Sequence, residues 1–117
     1  MPTIAFYHTV WGDLNAAESA LRAACKANLA RLAVFQPGMP TGLRLEKVHE
    51  KIIDLKVSWN KQEFRLLFFY GSNKTVYIVN FFQKKTRKTP QREINLALAR
   101  MREIQFEQSV VISRSLH

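Results

Sequence analysis

Three runs in the middle of the chain carry the clearest pattern. Asp54 to Trp59 (DLKVSW), Phe64 to Tyr70 (FRLLFFY) and Thr75 to Gln83 (TVYIVNFFQ) are rich in β-branched and aromatic residues. Short polar separators, NKQE and GSNK, have hairpin length, so the pattern predicts a three-stranded antiparallel meander. Ahead of it, Thr3 to Thr9 (TIAFYHT) reads as a short first strand. Leu14, Ala17, Leu21, Cys25, Leu29, Leu32 and Phe35 then recur at helical spacing and predict one long amphipathic helix. Asn15 with Glu18 resembles a capping box for it, and Asp13 is a rival cap. Gln36 to Gly42 (QPGMPTG) stops that helix, and LRLEKVHEKII (residues 43–53) is expected to form a short second one. After the meander, Thr89 is placed to cap a last helix with Pro90 at its first position. Ile94, Ala97, Leu98, Met101 and Ile104 give that helix an apolar stripe. The segment from Ser109 reads either as an added edge strand or as a frayed end.

Alternation along the strands sorts side chains onto two faces. With four-residue hairpin loops, Trp59 faces Phe64 and Tyr70 faces Thr75. Leu55, Val57, Trp59, Phe64, Leu66, Phe68, Tyr70, Tyr77, Val79 and Phe81 then share an apolar face, expected under the first helix. Lys56, Ser58, Arg65, Leu67, Phe69, Val76, Ile78, Asn80, Phe82 and, by continuation, Lys84 share the other, expected to lie partly under the last helix. On that face Ser58 would oppose Arg65 and Arg65 would oppose Asn80, with Lys56 and Lys84 close by. Tyr70 and Tyr77 are read as packing residues, and Asp54 and Glu93 as capping or surface-pairing groups.

Charge changes the picture next. Eighteen Lys and Arg against nine Asp and Glu leave a net +9 on 117 residues. The length argues for a single domain over residues 1–117. The charge favours a polyanionic partner. Four cations fall in five residues at the end of the third strand, in KKTRK (Lys84 to Lys88). Such a run is either a solvated turn or a polyanion site, and alternation ties it to Arg65 and Lys56 across the sheet. Arg65, alone within FRLLFFY, is costly unless exposed or paired. Cys25 is the only cysteine, which excludes an intrachain disulfide and a zinc motif of paired cysteines. MPTIAFYHTVWGD lacks a basic leader and a long apolar core, and no stretch approaches the roughly 20 apolar residues of a membrane span. The expectation is a cytoplasmic protein with no membrane association.

From about Asp54 to Ile104 the chain resembles the RelE/HigB-type toxins of bacterial toxin–antitoxin systems, in particular their phage-derived branch. The resemblance rests on DLKV (Asp54 to Val57), FRLLFFY (Phe64 to Tyr70), FFQKKTRKTP (Phe81 to Pro90) and QREINLALAR (Gln91 to Arg100). The KKTxKTP run with its following helix is the most specific piece. Lys56 stands where the family usually has arginine, and Asp54 where it has glutamate; lysine lacks the bidentate fork of arginine. The resemblance implies an α+β, RelE-like fold: an N-terminal strand and helices, an antiparallel meander and a C-terminal helix. It further implies a ribosome-dependent endoribonuclease that cleaves translated mRNA, with neither metal nor nucleotide cofactor. The implied partners are the ribosome, mRNA and a cognate helix-turn-helix antitoxin, similar to HigA.

Cleavage by attack of a 2′-hydroxyl needs a base, stabilisation of a pentacovalent phosphorane, and an acid at the leaving oxygen. Arg65 suits the phosphorane, with Lys56 beside it, and Lys84 or Lys85 suits the proton transfers, Lys84 being preferred because it shares the Arg65 face. Lys85, Arg87, Lys88, Asn80 and Ser58 are expected to bind RNA or the ribosome. No histidine falls in the patch, and His8, His49 and His117 receive no role. Trp11, Trp59 and most phenylalanines read as core rather than as stacking platforms for bases. Two rivals remain open: a non-catalytic basic module of phage origin that binds nucleic acid or a host factor, and a toxin-like domain that has lost cleavage.

Overall fold

The computed structural model describes residues 3–34, 42–71, 74–107 and 111–113. Its strands, β1 (Ile4–Tyr7), β2 (Leu45–Lys47), β3 (Ile53–Trp59), β4 (Gln62–Tyr70), β5 (Val76–Lys84) and β6 (Val111–Ser113), form a mixed sheet in the order β2-β3-β4-β5-β1-β6. Its helices are α1 (His8–Ala16), α2 (Ser19–Ala33) and α3 (Gln91–Phe106). The architecture is α+β and compatible with a RelE-like fold. The four residues of β1 are all buried, as a continuously apolar strand must be when it runs inside a sheet. It lies parallel to β5 (Phe6 opposite Ile78) and antiparallel to β6 (Phe6 opposite Ile112), so the segment after Ser109 does add an edge strand.

The expected long helix is two helices. Ala17 (ψ 158°) and Glu18 (ψ 141°) are extended, and the chain turns between them. A straight helix over residues 8–33 would be about 39 Å long at ~1.5 Å per residue. The whole fold measures only 38 × 31 × 30 Å. The break lets α1 lie against β5 and α2 against β3. The apolar periodicity runs through it, so Leu14, Leu21, Cys25, Leu29 and Leu32 are all buried. The expected capping box is absent: the Asn15 amide donates to the Trp11 carbonyl at 3.0 Å, and neither helix has a side-chain cap. Phe35, the last residue of the expected stripe, lies outside the described residues.

The expected second helix is also replaced. Residues 45–47 form β2, which pairs with β3 (Leu45 opposite Leu55), and a tight turn closed by Ile52 N–H donating to the His49 carbonyl leads into β3. Pairing with β3 supplies backbone hydrogen bonds that a helix on the surface could not give to that strand.

The β3–β4 connection is a two-residue turn. Asn60 and Lys61 have φ of 52° and 61°, the left-handed geometry that matches strand twist in tight hairpins. Trp59 therefore faces Gln62, and Val57 faces Phe64, a shift of two residues from the expected register. A shift of two preserves the face of every side chain. On β5 the outcome differs. Leu67 faces Asn80 while Phe68 faces Ile78, so Val79 is an extra, bulged residue. Beyond it, Tyr77 shares the Arg65 face and stacks on Phe69 (5.1 Å between centroids), whereas Val76 and Ile78 turn to the other face; this reverses the expected assignment of those residues. Tyr70 is 51% exposed, with its ring edge-on to Phe68 at 5.5 Å between centroids, so it packs on one side only.

The Phe6 face is covered by α1, whose Trp11 contacts Phe6 at 5.0 Å, with Lys26 of α2 over the Trp11 ring. The opposite face is covered by α3, through Ile94, Ala97, Met101 and Ile104, with Leu98 packed at the margin. Toward its C-terminal end α3 is tied down by the Tyr7 hydroxyl, which donates to Glu103 Oε2 at 2.6 Å, and by Arg100, which donates to the bulge carbonyl of Val79 at 2.6 Å. Among the described residues no helix is long and apolar enough to cross a membrane.

Candidate functional site

On the α3 face, beyond the start of α3, the sheet presents three cross-strand rows. They read Asp54–Leu67–Asn80, Lys56–Arg65–Phe82 and Ser58–Glu63–Lys84 across β3, β4 and β5. The shorter β3–β4 turn moves Ser58, and the β4–β5 register with its bulge moves Asn80, so Ser58, Arg65 and Asn80, expected in one row, lie in three. It still brings Lys56, Arg65, Ser58 and Lys84 together.

Arg65 is not an exposed phosphate ligand. Its side chain is 2% exposed, and its guanidinium reaches Asp54 Oδ2 at 2.8 Å and Glu63 Oε2 at 2.9 Å. Burial works against its charge, and the hydrogen bonds to Glu63 and Asp54 overcome that, so its pKa is raised. Pairing is thus how an arginine is tolerated within FRLLFFY. Asp54 is fully buried and also accepts a 2.8 Å bond from the Thr89 hydroxyl. Thr89 accordingly braces the sheet instead of capping α3, whose N-cap position is Pro90. Asn80 is buried as well: its amide donates to Glu93 Oε1 (2.8 Å) and to the Glu93 carbonyl (3.1 Å), fixing the first turn of α3 on β5. Neither Arg65 nor Asn80 presents a free donor to solvent for a large ligand.

The solvent side of the site belongs to other groups. Glu63 is 43% exposed, with Arg44 Nη2 at 3.5 Å from its Oε1. The hydrogen bond from Arg65 holds the Glu63 carboxyl below the ordinary carboxylate range; burial opposes this, and the charges of Arg65, Arg44 and Lys84 add to it. Ser58 is exposed but engaged, accepting from Arg44 at 2.9 Å. Lys56 is partly exposed and pairs with Glu46 at 3.3 Å. Lys84 is half-buried opposite Glu63, while Lys85, Arg87 and Lys88 are exposed in the connection to α3. The Thr86 hydroxyl donates to the Lys88 carbonyl at 2.9 Å and shapes that connection. Beside it lies a recess of ≈ 340 Å³, lined by Phe82, Gln83, Lys85, Thr86, Pro90, Arg92 and Glu93. At the other end of α3, a larger groove of ≈ 820 Å³ is lined in part by Leu45, Ile53, Phe69, Tyr70 and Met101.

Two site residues escaped the sequence reading. Glu63 stood in an assumed four-residue loop; a two-residue turn puts it in β4, two positions before Arg65 and therefore on the same face. Arg44 stood in an expected helix, and only the pairing of β2 with β3 brings it over Ser58. The two described histidines stay apart from the site: His8 lies against the Tyr7 ring, and His49 accepts from the Lys51 amide; His117 lies outside the described residues.

A mixed sheet between N-terminal helices and one C-terminal helix, with a polar cluster where the third meander strand meets that helix, is an α+β arrangement compatible with the RelE-like fold. Residues 12–102 match the model of the phage-derived Gp49-like proteins (DUF891), and the chain belongs to that family, which is a RelE-like toxin family. No curated protein matches the chain.

Proposed function

We propose that the protein is the toxin of a type II toxin–antitoxin pair, a metal-independent and ribosome-dependent endoribonuclease that cleaves translated mRNA. Besides the family, one observation carries this reading: Arg44 and Lys84 flank the part-exposed Glu63 carboxylate on one sheet face, Lys56 lies diagonal to it in a pair with Glu46, and Lys85, Arg87 and Lys88 continue that surface. In this reading Lys56 and Lys84 hold the scissile phosphate, and Lys84 gives a proton to the leaving oxygen. Lys85, Arg87 and Lys88 track flanking phosphates of mRNA or ribosomal RNA. Arg65 and Asn80 hold the site's shape from within. An antitoxin of the HigA kind masks the face with acidic side chains, for which a net +9 is complementary, and an apolar helix of it suits the groove between β2–β4 and α3.

Inducible expression in a bacterium tests the reading. Growth and translation should arrest, new mRNA ends should appear within translated frames, and co-expression of a helix-turn-helix protein encoded beside it should reverse both. Unimpaired growth at confirmed high levels of folded protein would remove the toxin assignment. A second reading, a non-catalytic basic module, draws on the burial of Arg65 between two carboxylates. It predicts ribosome or RNA binding without new mRNA ends.

A further inference from the structure

Glu63 occupies an unusual position for a surface carboxylate. Its Oε2 is gripped by Arg65 at 2.9 Å, Arg65 is gripped by Asp54 at 2.8 Å, and Asp54 by the Thr89 hydroxyl at 2.8 Å. Three successive partners thus orient one side chain, and the chain of contacts runs from the core to solvent. Its other oxygen, Oε1, lies toward Arg44 at the longer distance of 3.5 Å. The remaining carboxylates of the site are committed elsewhere. Asp54 is fully buried, Glu93 accepts from Asn80, and Glu46 sits beside Lys56 on the outer strand. A structural role alone would need Glu63 to neutralise Arg65, yet Asp54 already does so in the core.

We propose that Glu63 is the general base of the reaction, taking the proton of the attacking 2′-hydroxyl. The inference rests on the endoribonuclease reading. A nucleotide whose phosphate lies between Lys56 and Lys84 presents its ribose to the row Ser58–Glu63–Lys84. The 2′-oxygen loses its proton to Glu63 Oε1 and forms the new bond to phosphorus. The bond from phosphorus to the 5′-oxygen breaks, and that oxygen takes a proton from the Lys84 ammonium. A cyclic phosphodiester and a free 5′-hydroxyl result, and a proton passes from Glu63 back to the Lys84 amine through solvent. Arg65 is the positioning residue: it aims the carboxylate and keeps it ionised. The logic is that of a base oriented by a second group and a third.

Electrostatics alone makes the opposite prediction, and this decides the test. Removing a negative charge from a basic RNA-binding face strengthens attraction to polyanions. Glu63→Gln should therefore bind ribosomes as well as the wild type or better, while single-turnover cleavage of ribosome-bound mRNA falls at least about a hundredfold, the span of a lost general base. Glu63→Asp, which keeps the carboxylate but withdraws it from Arg65, should retain an intermediate rate. Asp13→Asn, on the exposed side of α1, serves as the charge control and should cleave normally. In the wild type the rate should be level near neutral pH and, on the acid side, fall only below the ordinary carboxylate value of 4.5, because the hydrogen bond from Arg65, with the charges of Arg65, Arg44 and Lys84, lowers the Glu63 pKa. Lys56, diagonal to Glu63, adds positive charge, and Asp54 acts only through Arg65. Rates are normalised to the folded fraction from thermal melts, so that a fold defect cannot imitate the result. A Glu63→Gln protein that cleaves at the wild-type rate overturns the proposal and leaves the toxin reading standing, as does a wild-type rate that climbs towards the lysine range near ~10.4. A wild-type protein that cleaves nothing in ribosomes overturns both.

Discussion

Arg65 and the Lys84–Lys88 segment carry the same sign of charge on neighbouring parts of one surface, but they do different physical work. Arg65 is enclosed, with a carboxylate on each side and a third group, Thr89, behind one of them. The lysines and Arg87 stand where the strand has left the cover of α3, and most are open to water. The difference teaches that a cation's burial decides whether it acts on a ligand or on the fold.

The sharpest way to break the comparison is Arg65→Ala. It leaves Asp54 charged and fully buried without its partner, which should cost about 3–5 kcal/mol of stability by chemical denaturation. Replacing Arg65 and Asp54 together by Met and Leu should recover most of that loss while leaving Glu63 unaimed and cleavage low. Lys84→Ala should do the converse: stability within about 0.5 kcal/mol of the parent, and single-turnover cleavage down by about a hundredfold. Arg87→Ala and Lys88→Ala come next. Each should weaken ribosome binding and reduce the salt dependence of binding by about one phosphate contact, with the cleavage step unchanged at saturation.

The smallest effect concerns acid. The folded-state pKa of Glu63 lies below its ordinary value of 4.5, chiefly through the hydrogen bond from Arg65. Its contribution to stability is therefore complete above that value and disappears as pH falls through the lower folded value. Melts of the wild type and Glu63→Gln should converge at the acid end and separate, with the wild type higher, as pH rises to the ordinary value of 4.5, above which the gap is constant. Curves that stay parallel would mean that Glu63 and Arg65 are not coupled in solution.

How much of this could be read from residues alone follows from the same geometry. The meander was legible because polar separators punctuate continuous β-branched and aromatic runs. The site face survived an incorrect loop length because the error was two residues, and side-chain direction has a period of two. Val79 was illegible: a bulge has no signature in VYIVNFF, and one extra residue inverted Tyr77 and Ile78. The edge strand β2 was illegible for a different reason, since LRLEKVHEKII is a fair helix by propensity and becomes a strand only because β3 offers it partners. Helix α2 was seen as part of a longer one because its apolar spacing continues smoothly across Ala17 and Glu18. In the site, the charge run was visible and the family resemblance gave it direction. What could not be seen was that Arg65 would find Asp54 and Glu63, because that depends on a register set by two left-handed residues, Asn60 and Lys61.

The position of β1 has a consequence for synthesis. Residues 4–6 pair with residues 76–78, and residues 5–7 with residues 111–113, so an early strand is seated between two late ones. During translation β1 emerges with neither neighbour, and α1 and α2 follow without the sheet they must cover. The hairpins that carry Arg65 and Lys84 are local and can form as they appear, whereas β1 is enclosed only after residue 113 has cleared the exit tunnel. Contacts of such long sequence separation slow folding, because much loop entropy is lost before they reward it. A newly made chain therefore passes through an interval in which its basic surface exists on an incomplete sheet, with the apolar side chains of Phe6 and Ile78 still open to whatever binds first.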